Sequence, residues 1–174
     1  MKLSLDVGLK PNHKVLEIGC GYLRLGEFII GYLTKGGYYG CDISEGIIKF
    51  SLKKVKEKNL ESKNPTIWNI KNLKFSNLKQ NFFDFAFAHS VFTHIPLKDI
   101  DEVILAMSRL LKPGGCFYAS FYTSDKYLVK KLFSDVSYYF PIKTIANMCS
   151  QYGLKIKTVP YPGNQTMIEI KKAK

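Results

Sequence analysis

The sequence predicts a doubly wound α/β fold with a mostly parallel, seven-stranded sheet. Short apolar runs alternate with amphipathic helical patterns along most of the chain, which is the arrangement of βαβ units. The central runs are apolar almost throughout, as expected of strands that are covered on both faces. The last two runs have no helix between them, so we expect an antiparallel C-terminal hairpin strand at one edge of the sheet.

Apolar periodicity and turn residues predict the individual elements. Helices are expected at 25–33, 45–59, 97–111 and 141–151. Ser44 is placed to cap the second helix, and Pro113-Gly114-Gly115 ends the third. Residues 125–137 receive no assignment. Strands are expected at 14–18, 38–44, 66–69, 83–88, 116–122, 154–159 and 166–171.

Length and composition predict one ordinary globular domain over residues 1–174. No apolar run approaches the roughly 18 residues that span a bilayer, and the N-terminal residues lack the apolar segment of a signal peptide. The 4 cysteines form no CxxC pair, which disfavours both a zinc site and a disulfide framework. We therefore expect reduced thiols, no bound metal and a cytoplasmic location.

The formal charge of +12 raises the possibility of nucleic-acid binding. Only Arg24 and Arg109 are arginines among the 26 basic residues, and arginine is the residue preferred for bidentate phosphate recognition. The chain is also rich in Ile, Asn, Phe and Tyr, so the compositional bias of an AT-rich genome explains much of the lysine excess. Nucleic acid is a possible but less favoured partner.

The stretch VLEIGCG, residues 15–21, places two glycines directly after the first strand. In a doubly wound sheet the ligand binds at the carboxyl ends of the strands, where glycine lets the backbone approach it. A dinucleotide requires G-x-G-x-x-G, but Arg24 occupies the third glycine position. Glu17 would repel a pyrophosphate, whereas it would attract the ammonium group of S-adenosylmethionine. Asp42, at the end of the second strand, suits the ribose hydroxyls of either cofactor.

Five motifs follow one another in a characteristic order: VLEIGCG, YYGCDIS, FDFAFAHSVFTHIP, RLLKPGG and CFYASFY. Over nearly its whole length the chain resembles class I S-adenosylmethionine-dependent methyltransferases, and it is most similar to the branch that acts on small substrates. The resemblance implies a Rossmann-like fold, S-adenosylmethionine as cofactor and S-adenosylhomocysteine as product.

The resemblance also implies a set of cofactor-binding residues. The glycines of the first motif would approach the methionine part of the cofactor, and Glu17 would lie near its ammonium group. Asp42 would bind the ribose hydroxyls, whereas Ile43 and Asn69 would contact the adenine. The complete set is Glu17, Gly19, Cys20, Gly21, Asp42, Ile43, Asn69, Ala88, His89 and Ser90.

Two features depart from the family's pattern. Leu23 replaces the third glycine of the common G-x-G-x-G, so we expect a bulkier loop. Only about thirteen residues precede the first strand, so the helix that often covers the substrate is expected to be short or absent. The substrate side is then open, covered by another subunit as in a homodimer, or built from residues 121–140.

His94, in the FTHIP motif, is the candidate catalytic residue because the resemblance places its loop opposite the transferable methyl group. Histidine titrates near neutral pH, so His94 could take a proton from an attacking hydroxyl; alternatively, it only orders the loop. Methyl transfer can also proceed by positioning alone. We predict methyl transfer to a hydroxyl of a small molecule or sugar. The alternatives are an RNA methyltransferase and a cofactor-binding module that needs a partner for activity.

Overall fold

The computed structural model describes residues 8–133 and 135–173. Contacts between Cα atoms divide the described chain into two compact units. The first contains residues 8–72 and 83–87, and the second contains residues 73–82 and the described residues from 88 onward.

The first unit alternates strands with helices. Its elements are β1 Val15–Ile18, α1 Gly26–Tyr32, β2 Tyr38–Asp42, α2 Glu45–Glu57, a 3-10 turn Glu61–Lys63, β3 Thr66–Asn69 and β4 Phe83–Ala88, whose last residue falls in the second unit. The strands lie in the order β3-β2-β1-β4, and each pair is parallel. The central strand β1 is buried at every residue, as a strand covered on both faces should be. The Ser44 hydroxyl accepts the Ile47 N–H and caps α2 as predicted.

The second unit carries the antiparallel part of the fold. Its elements are α3 Leu97–Leu110, β5 Leu111–Thr123, β6 Leu128–Leu132, β7 Asp135–Phe140, α4 Ile142–Gln151, β8 Leu154–Val159 and β9 Thr166–Lys172. Strand β9 pairs antiparallel with both β5 and β8. Strand β7 runs parallel to the end of β5 and pairs antiparallel with β6.

The predicted mixed α/β sheet, mostly parallel with an antiparallel C-terminal pair, is confirmed. All seven predicted strands are present, and the segment left unassigned forms the additional hairpin β6–β7. This hairpin depends on contacts that are distant in sequence. The Tyr139 ring stacks on that of Tyr122 with centroids 4.9 Å apart, and the Tyr138 N–H donates to the Thr93 carbonyl at 2.8 Å.

None of the helices within the described ranges is long and apolar enough to cross a membrane. The sequence predicts that the N-terminal helix over the substrate is short or absent. Residues 1–7 of this N-terminal segment lie outside the described residues. That expectation, like the single domain over the whole chain, stays a prediction.

Tyr38 is buried in the first unit, where glycines from two neighbouring elements leave space for its ring. A Cβ atom on Gly26 would lie 2.5 Å from the Tyr38 hydroxyl oxygen and 2.9 Å from Oε2 of Glu17. A Cβ atom on Gly40 would lie 2.7 Å from the same hydroxyl oxygen. All three distances are too short for non-bonded contact, so Gly26 and Gly40 require glycine while the tyrosine stays in place.

Replacement of Gly26 by alanine is therefore expected to destabilise the protein by about 1–3 kcal/mol, because the added methyl group overpacks the buried tyrosine. Urea unfolding measures this change. Gly31→Ala is the matched control in the same helix, where the nearest atom to an added Cβ lies 4.0 Å away. The control should be neutral or stabilising, since alanine favours a helix more than glycine does. Equal stability of the two variants would contradict the packing argument.

Candidate functional site

The loop after β1 turns through three residues with positive φ. Gly19 and Gly21 have φ of 67° and 51°, a region that glycine adopts without steric cost. Leu23 takes the same left-handed conformation, with φ of 54°, and its side chain is fully buried. Its Cδ2 atom would lie 2.7 Å from a Cβ on Gly26. The larger side chain that the sequence places at this position thus packs into the core of the first unit.

Asp42 is fixed in orientation at the carboxyl end of β2. Its two carboxylate oxygens accept the N–H groups of Gly21 at 3.1 Å and Ser44 at 2.9 Å. The Ser51 hydroxyl donates to the Gly21 carbonyl at 2.6 Å, so the glycine loop is held from both β2 and α2. The structure therefore brings the first and second predicted motifs together through direct hydrogen bonds.

Asn69 joins the end of β3 to the same region. Its side-chain amide donates to the carbonyl oxygens of Asp42 at 3.1 Å and Ile43 at 2.7 Å. Both donors of that amide are therefore directed at backbone oxygens, and Oδ1 remains as the group with which Asn69 could accept a hydrogen bond from a ligand. The Ile43 residue is 79% exposed, which leaves an apolar surface beside these polar groups.

Glu17 is only 3% exposed, and it accepts a hydrogen bond of 2.5 Å from the Tyr38 hydroxyl. Burial raises the pKa of Glu17 from 4.5 to about 7, although the hydrogen bond from Tyr38 opposes this rise. Within the described ranges, Tyr38 is the side chain that bonds this buried acid, and a neutral phenol does not compensate a negative charge. The position therefore suits a cationic group.

Cys20 lies between the two loop glycines and is buried. Burial, followed by the negative charges of Glu17 and Asp42, raises the pKa of its thiol to about 12. The thiol is therefore protonated and unreactive at neutral pH. The Cys20 N–H donates to the Cys41 carbonyl at 2.9 Å, which ties the loop to β2.

The remaining predicted residues belong to the second unit. Ala88 ends β4, and the Nε2 atom of His89 is hydrogen-bonded to the Tyr161 hydroxyl. Ser90 has a positive φ of 58°, and its N–H donates to the buried Ser120 hydroxyl at 2.8 Å. The ring of His89 thus has a partner that the sequence did not indicate.

His94 lies against the start of β7. Its Nδ1 atom is 3.3 Å from the Val136 carbonyl oxygen and 3.4 Å from an Asp135 carboxylate oxygen. A carbonyl only accepts, so Nδ1 carries the proton and Nε2 carries the lone pair in the neutral ring. The two side chains are 51% and 68% exposed. This arrangement can take a proton at Nε2, and Asp135 can then stabilise the imidazolium.

Sequence reasoning missed Tyr38, Ser120, Asp135 and Gln165. One signal was available for Tyr38, because a tyrosine inside a buried strand needs a hydrogen-bond partner for its hydroxyl. The other three residues contact partners that lie between 30 and 75 residues away in sequence. No local sequence pattern predicts such pairs.

Comparisons with known proteins agree with this geometry. Residues 16–117, more than half of the chain, match the methyltransferase domain family. The uncharacterized protein YmfD of Escherichia coli K12 is 25% identical over 169 residues, which cover 85% of this chain and 75% of YmfD.

Two solved structures show the same fold at low sequence identity. An S-adenosylmethionine-dependent methyltransferase from Methanosarcina mazei is 15% identical, with a TM-score of 0.77 over 97% of this chain and 96% of that chain. The magnesium protoporphyrin IX methyltransferase of Synechocystis, crystallised with S-adenosylmethionine, is 19% identical, with a TM-score of 0.76 over 99% of this chain and 76% of that chain. The same enzyme was also crystallised with S-adenosylhomocysteine. The chain belongs to the methyltransferase domain family and is a class I S-adenosylmethionine-dependent methyltransferase.

Proposed function

We propose that this methyltransferase acts on a hydroxyl group of a small molecule or sugar. The observation that carries the proposal is the contact of His94 with both Asp135 and the Val136 carbonyl. A hydroxyl must lose its proton as its oxygen is methylated, and a histidine held in one tautomer is suited to accept that proton. An acceptor that is already anionic would not require such a base.

The charges and hydrogen-bonding groups described above support the cofactor contacts that we propose in the first unit. Glu17 would hold the ammonium group, and the Asp42 carboxylate would hold the ribose hydroxyls. Ile43 would lie against the adenine, while Oδ1 of Asn69 would accept from its amino group. The loop residues Gly19, Cys20 and Gly21 would line the methionine part. When bound, S-adenosylmethionine supplies an electrophilic methyl group on a sulfonium.

In the second unit, Ala88, His89 and Ser90 are proposed to contact the cofactor mainly through their backbone. His94 would take the acceptor proton at Nε2 while the Val136 carbonyl holds Nδ1–H. Asp135 would stabilise the positive charge that develops on the ring. The hairpin β6–β7 supports an acceptor site within this unit, because it supplies Asp135 and also hydrogen-bonds the residue preceding His94.

An RNA acceptor is less well supported. Lysines on α2 are paired with acids: Lys49 lies 3.3 Å from Glu45, and Lys53 lies 3.5 Å from Glu57. Lys54 lies 2.8 Å from Glu27. Such pairs reduce the net positive charge that this helix would present to a phosphate backbone.

Asp42→Ala is expected to weaken binding of S-adenosylhomocysteine by at least about tenfold, since it removes a charged acceptor and frees the glycine loop. Isothermal titration calorimetry measures the affinity. Glu57→Ala is the control, because it removes the same charge from an exposed site on α2. Unchanged affinity in the folded Asp42 variant would exclude this ribose contact.

Glu17→Gln tests the buried acid through pH. The folded pKa of about 7 lies above the ordinary 4.5, so this group stabilises the fold most at low pH. Its contribution to the free energy of unfolding falls by on the order of 3 kcal/mol as pH rises from about 4.5 to 7. The affinity for S-adenosylhomocysteine should instead increase over this pH range, because the ammonium group of the ligand favours the ionised acid.

Glutamine can still accept the Tyr38 hydrogen bond but does not titrate, so both pH dependences should flatten in this variant. Urea unfolding and calorimetry between pH 5 and pH 8 supply the two measurements. Identical pH profiles for the parent and the Glu17→Gln variant would rule out the assigned role of this carboxylate.

His94→Ala is expected to lower turnover by at least about tenfold and to change the affinity for S-adenosylhomocysteine by less than about twofold. The acceptor is first found by screening hydroxyl-bearing metabolites and sugars for release of S-adenosylhomocysteine. Asp135→Asn should give an intermediate loss, and His13→Ala serves as the histidine control. Full turnover in the His94 variant would assign this residue to loop structure alone.

A further inference from the structure

The turn that follows β4 contains a non-glycine residue in a left-handed conformation. Ser90 has φ of 58°, which is sterically unfavourable for a residue with a Cβ atom. Such conformations persist only where surrounding contacts enforce them, and they are frequent at functional sites. The contacts of Ser90 are therefore informative about what this turn does.

A closed ring of three hydrogen bonds holds Ser90. Its N–H donates to the Ser120 hydroxyl oxygen at 2.8 Å, and the Ser120 hydroxyl donates to Oε1 of Gln165 at 2.6 Å. The Gln165 amide then donates from Nε2 back to the Ser90 hydroxyl oxygen at 3.0 Å. Each polar atom is used in a compatible role, since the serine hydroxyls both donate and accept.

The ring is anchored in the core of the second unit. Ser120 is completely buried on β5, where an unpaired hydroxyl would be costly. The Ser90 carbonyl accepts a hydrogen bond of 2.7 Å from the buried Thr93 hydroxyl. Both sides of the strained residue are thus fixed, by partners that lie on β5, beside β9 and in the turn itself.

The ring also extends toward His89. The Nδ1 atom of that residue lies 3.4 Å from the Ser90 hydroxyl oxygen, and its Nε2 atom is bonded to the Tyr161 hydroxyl. Tyr161 and Gln165 both belong to the connection between β8 and β9. Two residues of one loop therefore hold two successive residues of the turn.

We propose that Ser120 and Gln165 are positioning residues, which hold the Ala88–Ser90 turn in the conformation that binds the cofactor. The assignment rests on the proposed function, in which this turn contacts the cofactor through its backbone. A backbone contact depends on the dihedral angles of the turn, and the ring fixes the one residue whose φ is unfavourable. A glycine at this position would adopt the same φ without the ring.

The test combines Gln165→Met, which keeps the side-chain length but removes the amide, with Ser90→Gly. Gln165→Met alone should weaken binding of S-adenosylhomocysteine by about three- to tenfold, as expected for loss of one or two hydrogen bonds. Ser90→Gly relieves the unfavourable φ of this residue and serves as the reference for the double variant. Relative to Ser90→Gly, the double variant should lose almost no further affinity, because glycine adopts the required φ without the ring. It should still lose stability, because Gln165→Met breaks the Ser120–Gln165 hydrogen bond in either background. Gln80→Met, at an exposed site of the same unit, is the control.

Calorimetry gives the affinities, and urea unfolding of the same five proteins separates binding from stability. A Gln165→Met variant that is less stable but binds as the parent does would reduce the ring to a structural feature and overturn the proposal. Additive losses of affinity in the double variant would overturn it as well. If the parent protein did not bind S-adenosylhomocysteine, the proposed function itself would be wrong. If the parent bound it and Gln165→Met bound it equally well, only the positioning role would be wrong.

Discussion

The hydrogen bond between the buried Glu17 carboxylate and the Tyr38 hydroxyl is the contact on which the first unit depends. It joins β1 to β2 and requires glycine both opposite Glu17 on β2 and at the start of α1. The pair therefore determines the close packing of three successive elements. It also keeps an acid away from water without a compensating charge, which is unfavourable for folding and favourable for binding a cation.

Motifs whose parts lie close together in sequence were predictable from it. The glycine loop, Asp42 and the Ser44 cap each depend on a neighbouring strand end or helix start, so local pattern was sufficient. The seven strands followed for the same reason, because each is a short apolar run bounded by turn residues. Each of these features is determined by residues that are close to one another in the sequence.

Features that depend on long-range pairing were not predictable. The lysine-rich strand β6 shows no clean alternation, and its register with β7 decides its structure. Ser120 reads as an ordinary core residue until Ser90 and Gln165 are placed beside it. Likewise Asp135 becomes relevant only once β7 brings it to His94.

The left-handed Leu23 has a consequence for how the glycine loop meets a ligand. A third glycine would give this loop many conformations before binding, and ordering them would oppose association. A leucine whose side chain is anchored in the core restricts the loop in advance. The loop is thus preorganised, and the cofactor contact proposed for it would cost less conformational entropy. In this chain the family's glycine pattern is best understood as a requirement for backbone handedness, which a residue other than glycine can meet when its side chain has a place in the interior.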